Sequence, residues 1–152
     1  MTSESARTTE VPTVAHLVVD GANVVGSRPD GWWRDRAGAA RRLAEKIHRV
    51  LVAEPGALVR AAGVQAERPQ VHLVLEGEAR LARDLPTHPL LTVVRADADG
   101  DATIAQLAGD LPPPVVVVTA DRALQQRVAD TGAGVAPPGA LLRILDELTC
   151  GG

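Results

Sequence analysis

The run Pro112-Pro-Pro-Val-Val-Val-Val118 leaves the chain little freedom. Three successive prolines forbid helix, and four β-branched residues favour an extended strand packed on both faces. The strand stops at Thr119-Ala-Asp121, so an acid stands at its end. Two other apolar runs do the same: His16-Leu-Val-Val-Asp20 leads into Gly21-Ala-Asn23, and Leu91 to Val94 leads into Arg95-Ala-Asp97-Ala-Asp-Gly-Asp101. Strands that are apolar throughout, rather than alternating, belong to parallel sheets covered on both sides. If these three are neighbours in such a sheet, Asp20, Asp101 and Asp121 meet at one edge.

The remaining periodicity supplies the covers. Arg36 to Val52 repeats apolar residues at helical spacing through Ala40, Leu43, Ala44, Ile47 and Leu51, with Gly56 at or beyond its end. Val71 to Leu75 reads as a second strand, followed by a short helical piece from Glu78 to Asp84 that Pro86 closes. Asp101 to Leu107 opens a helix ending near Gly109, Arg122 to Asp130 forms another, Val135-Ala136 makes a last short strand, and Pro138 to Leu148 a last helix. The order βαβαβαβαβα without internal repeat predicts one α/β domain, a central mainly parallel sheet with helices on both faces, over residues 14–149. Residues 1–13 are polar and read as a flexible leader without secretory features.

Composition excludes several classes. No apolar stretch in the 152 residues approaches the roughly 20 needed to cross a bilayer, so no membrane role is expected. The single cysteine, Cys150, rules out an internal disulfide framework and a multi-cysteine zinc site, and makes cytoplasm the expected compartment. The net charge of -3 argues against a generic polyanion binder, yet Arg28, Arg34, Arg36, Arg41, Arg42, Lys46 and Arg49 crowd one segment. They are either a solvated helix face or a surface for a phosphate-bearing substrate. With no Phe or Tyr, an aromatic sheet platform for RNA is absent. Trp32 and Trp33 either pack the first long helix onto the sheet or form, with their arginine neighbours, a lid or RNA-contacting rim.

Each strand-end acid has a local explanation: an Asp-Gly turn for Asp20, with Asn23 bonding nearby backbone, and helix caps for Asp101 and Asp121. Glu76, before Gly77, reads as the start of a turn. The run Asp97-Ala-Asp99-Gly-Asp101 is harder to dismiss, because carboxylates about 4 Å apart repel by roughly 4 kcal/mol at an effective dielectric of 20. An EF-hand loop starting at Asp97 would need an acid at Ala108 and fails. Taken together, hard oxygen donors without His or Cys at one sheet edge select Mg2+ or Mn2+, a setting that activates water against a phosphodiester. His16, His48, His72 and His88 are scattered and offer no histidine base. Dinucleotide, P-loop and nucleophile-elbow signatures are missing or partial.

Three segments in order, Val18-Val-Asp-Gly-Ala-Asn-Val-Val-Gly26, Gly100-Asp-Ala-Thr-Ile104 and Val117-Val-Thr-Ala-Asp-Arg-Ala-Leu124, resemble the NYN domain family of PIN-like folds. The resemblance runs over nearly the whole chain from Val14. It implies a PIN-like three-layer sandwich and a metal-dependent ribonuclease, with Asp20, Asp101 and Asp121 at the matching acidic positions and Asn23 beside the first. A second acid often follows the one at Asp101; here that place is Ala102, with Asp99 two positions earlier as a substitute ligand. The expectation is thus an endoribonuclease acting on single-stranded or structured RNA: Asp20, Asp99, Asp101 and Asp121 on Mg2+ or Mn2+, Asn23 orienting a carboxylate or the scissile phosphate, and Arg28, Arg34, Arg36 and Arg122 on the backbone. The alternatives are a non-catalytic RNA- or protein-binding module and a small nucleotide phosphohydrolase; a homodimer is left open.

Overall fold

A computed structural model describes residues 11–149; residues 1–10 of the expected leader, and Cys150, lie outside the described residues. Five strands, β1 (Val14–Asp20), β2 (Arg68–Leu75), β3 (Leu91–Arg95), β4 (Val115–Val118) and β5 (Gly134–Ala136), form one all-parallel sheet in the order β3-β2-β1-β4-β5. The chain builds outward from β1 through β2 to β3, then returns to lay β4 against the other side of β1. Strand order therefore reverses between β1 and β4, the position at which open α/β sheets hold their ligands, beyond the carboxyl ends.

The valine run divides its side chains between two cores. Val116 and Val118 join Leu17, Val19 and Leu73 under helices α2 (Arg36–Ala53), α3 (Gly56–Ala61) and α6 (Pro138–Thr149), where Ile47, Leu58 and Leu145 are fully buried. Val115 and Val117 join Val18 and Val74 on the opposite face under α4 (Gly100–Asp110) and α5 (Arg122–Ala129), through Ile104, Leu124 and Val128. This is the expected three-layer α/β sandwich, with apolar strands because both faces are covered.

Two short helices depart from the sequence expectation. The Asp20-Gly-Ala-Asn23 turn continues as α1 (Gly21–Gly26), because the Asp20 carboxylate caps one of its free N–H groups, that of Asn23. Gly56 lies just beyond the end of the first long helix, as expected, but it also begins α3, a helix the periodicity did not show, whose Ala57, Leu58 and Val59 are buried. The piece expected over Glu78 to Asp84 is a 3-10 turn at Gly77–Leu81, and a second 3-10 turn, Trp32–Arg34, precedes α2. No helix of the described residues is long and apolar enough to cross a membrane.

Candidate active site at the carboxyl edge

The register that pairs Val19 with Val118 puts Thr119 beside Asp20. The Thr119 hydroxyl donates to Asp20 Oδ2 at 3.0 Å and accepts from the Asp121 N–H at 3.2 Å, so one buried side chain joins two strand-end acids. Asp20 is only 5% exposed, and its Oδ1 accepts from the Asn23 N–H at 3.2 Å. Asn23 extends the link: its Oδ1 accepts from the Ala120 N–H at 2.8 Å, a bond between residues 97 apart in sequence rather than the local one expected. Gln125 closes the network by donating to the Thr119 carbonyl at 2.8 Å.

Capping and site-building prove compatible, since a carboxylate has two oxygens. Asp121 caps α5 through Oδ1 to the Leu124 N–H at 3.2 Å. At α4 the expected cap moves: Asp99, not Asp101, is the N-cap, accepting from the Asp101 N–H at 3.0 Å. Asp99 is exposed, and Asp101, in the first helical turn, makes no side-chain hydrogen bond among the described residues.

Glu76 goes beyond the turn read from sequence. Its carboxylate spans from the end of β2 to the start of α4, accepting from the Gly100 N–H at 3.2 Å. Gly100 is the one residue that fits: a Cβ there would stand 2.8 Å from the Glu76 carboxyl carbon. The geometry thus brings a carboxylate to the edge from each of four segments, at Asp20, Glu76, Asp101 and Asp121.

Their electrostatics agree with that grouping. Burial pushes the Asp20 carboxyl above its ordinary value; the hydrogen bonds from Asn23 and Thr119 oppose this, and the charges of Asp101 and Glu76 add to it. Burial also raises Asp101, helped by Asp121, Asp99 and Glu76 and opposed by Arg127. Arg127, a turn further along α5, is a residue sequence reasoning missed. Among the described residues no Lys or Arg forms a salt bridge with any of the four acids.

The arginines expected on substrate separate. Arg28 lies 2.7 Å from Asp146 on α6, which Lys46 also approaches at 3.5 Å; the Arg28 hydrogen bond and both cations hold the Asp146 carboxyl below its ordinary value. Arg36 lies over the Trp32 ring at 5.2 Å, and both residues line a cleft of about 330 Å3 that reaches Gly21 and Glu76. Trp33 stands edge-on to Trp32 and is 50% exposed. Arg34 and Arg122 are exposed, and neither side chain has a bonded partner among the described residues.

No three His, Cys, Asp or Glu side chains among the described residues stand close enough together to hold one ion as a ready-made cage. The donor set nevertheless suits a hard cation. Asp20, Glu76 and Asp121 each commit one or both oxygens to single hydrogen bonds and keep lone pairs, and Mg2+ characteristically takes one or two carboxylates and completes its shell with water and phosphate.

Two solved structures of Rae1 (YacP) from Bacillus subtilis share this architecture. One matches with a TM-score of 0.64 at 21% identity over 87% of this chain and 74% of that one. The other, a tryptophan-to-leucine variant, matches with a TM-score of 0.59 at 20% identity over 88% and 75%. The fold is PIN-like. No protein-family model and no curated protein sequence matches the chain.

Proposed function

We propose that the chain is a metal-dependent endoribonuclease of the cytoplasm, working at the crevice between β1 and β4. The observation that carries this reading is the set of four carboxylates, from four separate segments, grouped over the strand-order reversal without a salt-bridging cation among the described residues. The PIN-like fold and the resemblance of its acidic motifs to NYN domains support the same reading.

A bound Mg2+ or Mn2+ would supply Lewis-acid stabilisation of a phosphodiester and a more acidic water. Asp20, Asp101 and Asp121 would supply its one or two carboxylate ligands, with water and phosphate completing the shell, and Glu76 is a better-placed fourth acid than exposed Asp99. Asp20 is oriented from both sides by the Asn23 N–H and the Thr119 hydroxyl, so its remaining lone pairs keep a defined direction. Asn23 ties the β1–α1 turn to the β4–α5 turn through Ala120, fixing the spacing of Asp20 and Asp121. Its amide N–H2 stays available to donate to a phosphate oxygen.

A non-catalytic RNA-binding module is favoured by two observations: Ala102 stands exposed where a second acid would complete the α4 turn, and the described residues form no three-ligand cage. One experiment separates the readings. End-labelled single-stranded RNA is incubated with the parent, Asp20→Asn and Asp121→Asn in Mn2+, with chelator as control and free nucleotides as competing substrate. The expected result is cleavage by the parent, blocked by chelator and reduced by at least about a hundredfold in both variants. Equal cutting by parent and variants overturns the assignment. Chelator-insensitive binding without cleavage selects the module, and phosphate release from free nucleotides with intact RNA selects a phosphohydrolase.

A further inference from the structure

The cleft beside Glu76 does not resemble a phosphate site. Its lining is mainly apolar, from Val25 of α1, Leu75 at the end of β2 and Ala79 of the following 3-10 turn, with the half-buried Trp32 indole and the Arg36 guanidinium at one side. Its acidic residue, Glu76, repels a phosphate but accepts a hydrogen bond from a ring or exocyclic N–H. A volume of about 330 Å3 is at the small end of ligand pockets and suits one heteroaromatic ring system with its hydration. The cleft also reaches Gly21, the residue after Asp20, and shares Glu76 with the acid group. A nucleotide whose phosphate lies at the acids therefore has its base, or its neighbour's, within reach of the cleft.

The indole is held where such a base needs it. A Cβ at Gly26 would touch Trp32 Cζ2 at 3.6 Å, so α1 backs the ring closely, while Trp33 braces it edge-on with centroids 5.9 Å apart. With no Phe or Tyr in the chain, these two tryptophans are its whole stock of large aromatic stacking surfaces, and Trp32 is the one that lines the cleft.

We propose that this cleft is a subsite for a single unstacked nucleobase of single-stranded RNA, packed against the Trp32–Arg36 pair and set beside the acidic edge. It rests on the RNA ligand proposed above, and makes the segment from Arg28 to Arg36 a base-holding rim rather than a general phosphate clamp. Stacking of this kind tolerates any base, so the subsite fixes the strand's register more than its sequence.

Tryptophan fluorescence tests it without metal or turnover. The full chain in chelator is titrated with a single-stranded decamer of adenylate, and separately with inorganic polyphosphate of similar charge. The decamer is expected to quench emission saturably, and polyphosphate to leave emission unchanged. Trp33→Leu should keep the quench; Trp32→Leu should lose it and bind about tenfold to a hundredfold more weakly. Ala79→Leu, which narrows the cleft and leaves both tryptophans in place, should weaken binding comparably with unchanged far-ultraviolet circular dichroism. Decamer binding undiminished in Trp32→Leu and Ala79→Leu, or equal quenching by polyphosphate, overturns the subsite. Because cleavage is not read, an inactive parent that still shows the Trp32-dependent quench discards the ribonuclease and keeps the subsite. An active parent without the quench does the reverse.

Discussion

Two groups of titratable side chains, each with one buried member, lie in and at the end of one sheet and meet burial in opposite ways. On β1 and β2, His16 Nδ1 stands 2.9 Å from His72 Nε2. Burial, with the charge of His16 beside it, pushes His72 down to about 4, and burial lowers His16 as well. Such a pair is at ease when neutral: one ring donates the proton and the other accepts it. At the carboxyl edge the same burial pushes Asp20 and Asp101 up. A histidine escapes its charge by losing a proton near neutrality; a carboxyl escapes only by taking one above its ordinary value, or by gaining a cation. Burial alone therefore marks no site. What singles out the edge is buried and half-buried charge for which no described residue supplies a salt-bridging partner, in contrast to Asp146 with Arg28 and Lys46.

The largest expected effect tests the histidine half of that contrast. The unfolded chain protonates His72 near pH 6.5, the folded chain only near 4. The unfolded state thus binds more protons between these values, and stability falls as pH falls through the window. One such group gives about 1.4 kcal/mol per pH unit, or about 3 kcal/mol across it. Urea midpoints at pH 7, 5.5 and 4 should show this decline in the parent and a shallower one in His72→Asn. Parallel declines in the two proteins would mean that the pair is not kept neutral by the fold.

Next in size is the hydroxyl that organises the edge. Thr119→Val keeps the shape of a fully buried side chain but leaves Asp20 Oδ2 and the Asp121 N–H without their partner. The expected cost is about 1–3 kcal/mol, the scale of a buried polar group left unsatisfied, with Thr119→Ser recovering most of it. Equal stability of the valine and serine variants would remove Thr119 from its bridging role. No comparable single bond holds Asp146, whose partly exposed ion pairs belong to the class worth about 0–1 kcal/mol.

The sheet was legible in the sequence because its signals are local. Prolines before Val115 and unbroken apolar runs define strands whatever surrounds them, and the four remaining strands were placed within a few residues. The short helices were not legible: α1 and α3 have six residues each, too few for periodicity, and α1 exists because a distant network holds its cap. In the site, Asp20, Asp101 and Asp121 could be read from strand ends. Thr119 and Glu76 could not, since the role of each depends on a partner 99 or 24 residues away. A signal for Glu76 was present in Gly100, a glycine at a helix start that leaves room for an incoming side chain, but only the fold says whose side chain that is. Arg28 shows what a basic run leaves out: its sequence neighbours are cations, and only the fold sets it 2.7 Å from a carboxylate on α6.

The smallest expected effect bears on the acidic half of the contrast and has an unusual sign. A raised folded pKa says that the ionised form of Asp101 is, with every neighbour included, less favoured in the folded chain than in the unfolded one. Its charge therefore lowers stability at pH 7, and the deficit is relieved as pH falls through the folded pKa. Asp101→Asn keeps the shape and should raise the melting temperature at pH 7 by at most about 2 °C, because the group is partly exposed and solvent screens its repulsion. The gain should shrink as pH falls through the folded pKa and the parent's carboxyl takes up its proton. Millimolar Mn2+ should raise the parent's melting temperature more than the variant's, because a cation that binds only the folded state relieves the same repulsion. A variant that melts below the parent at pH 7 would show that Asp101 is supported where it stands, and the acidic edge would then lose its claim to differ from any solvated cluster.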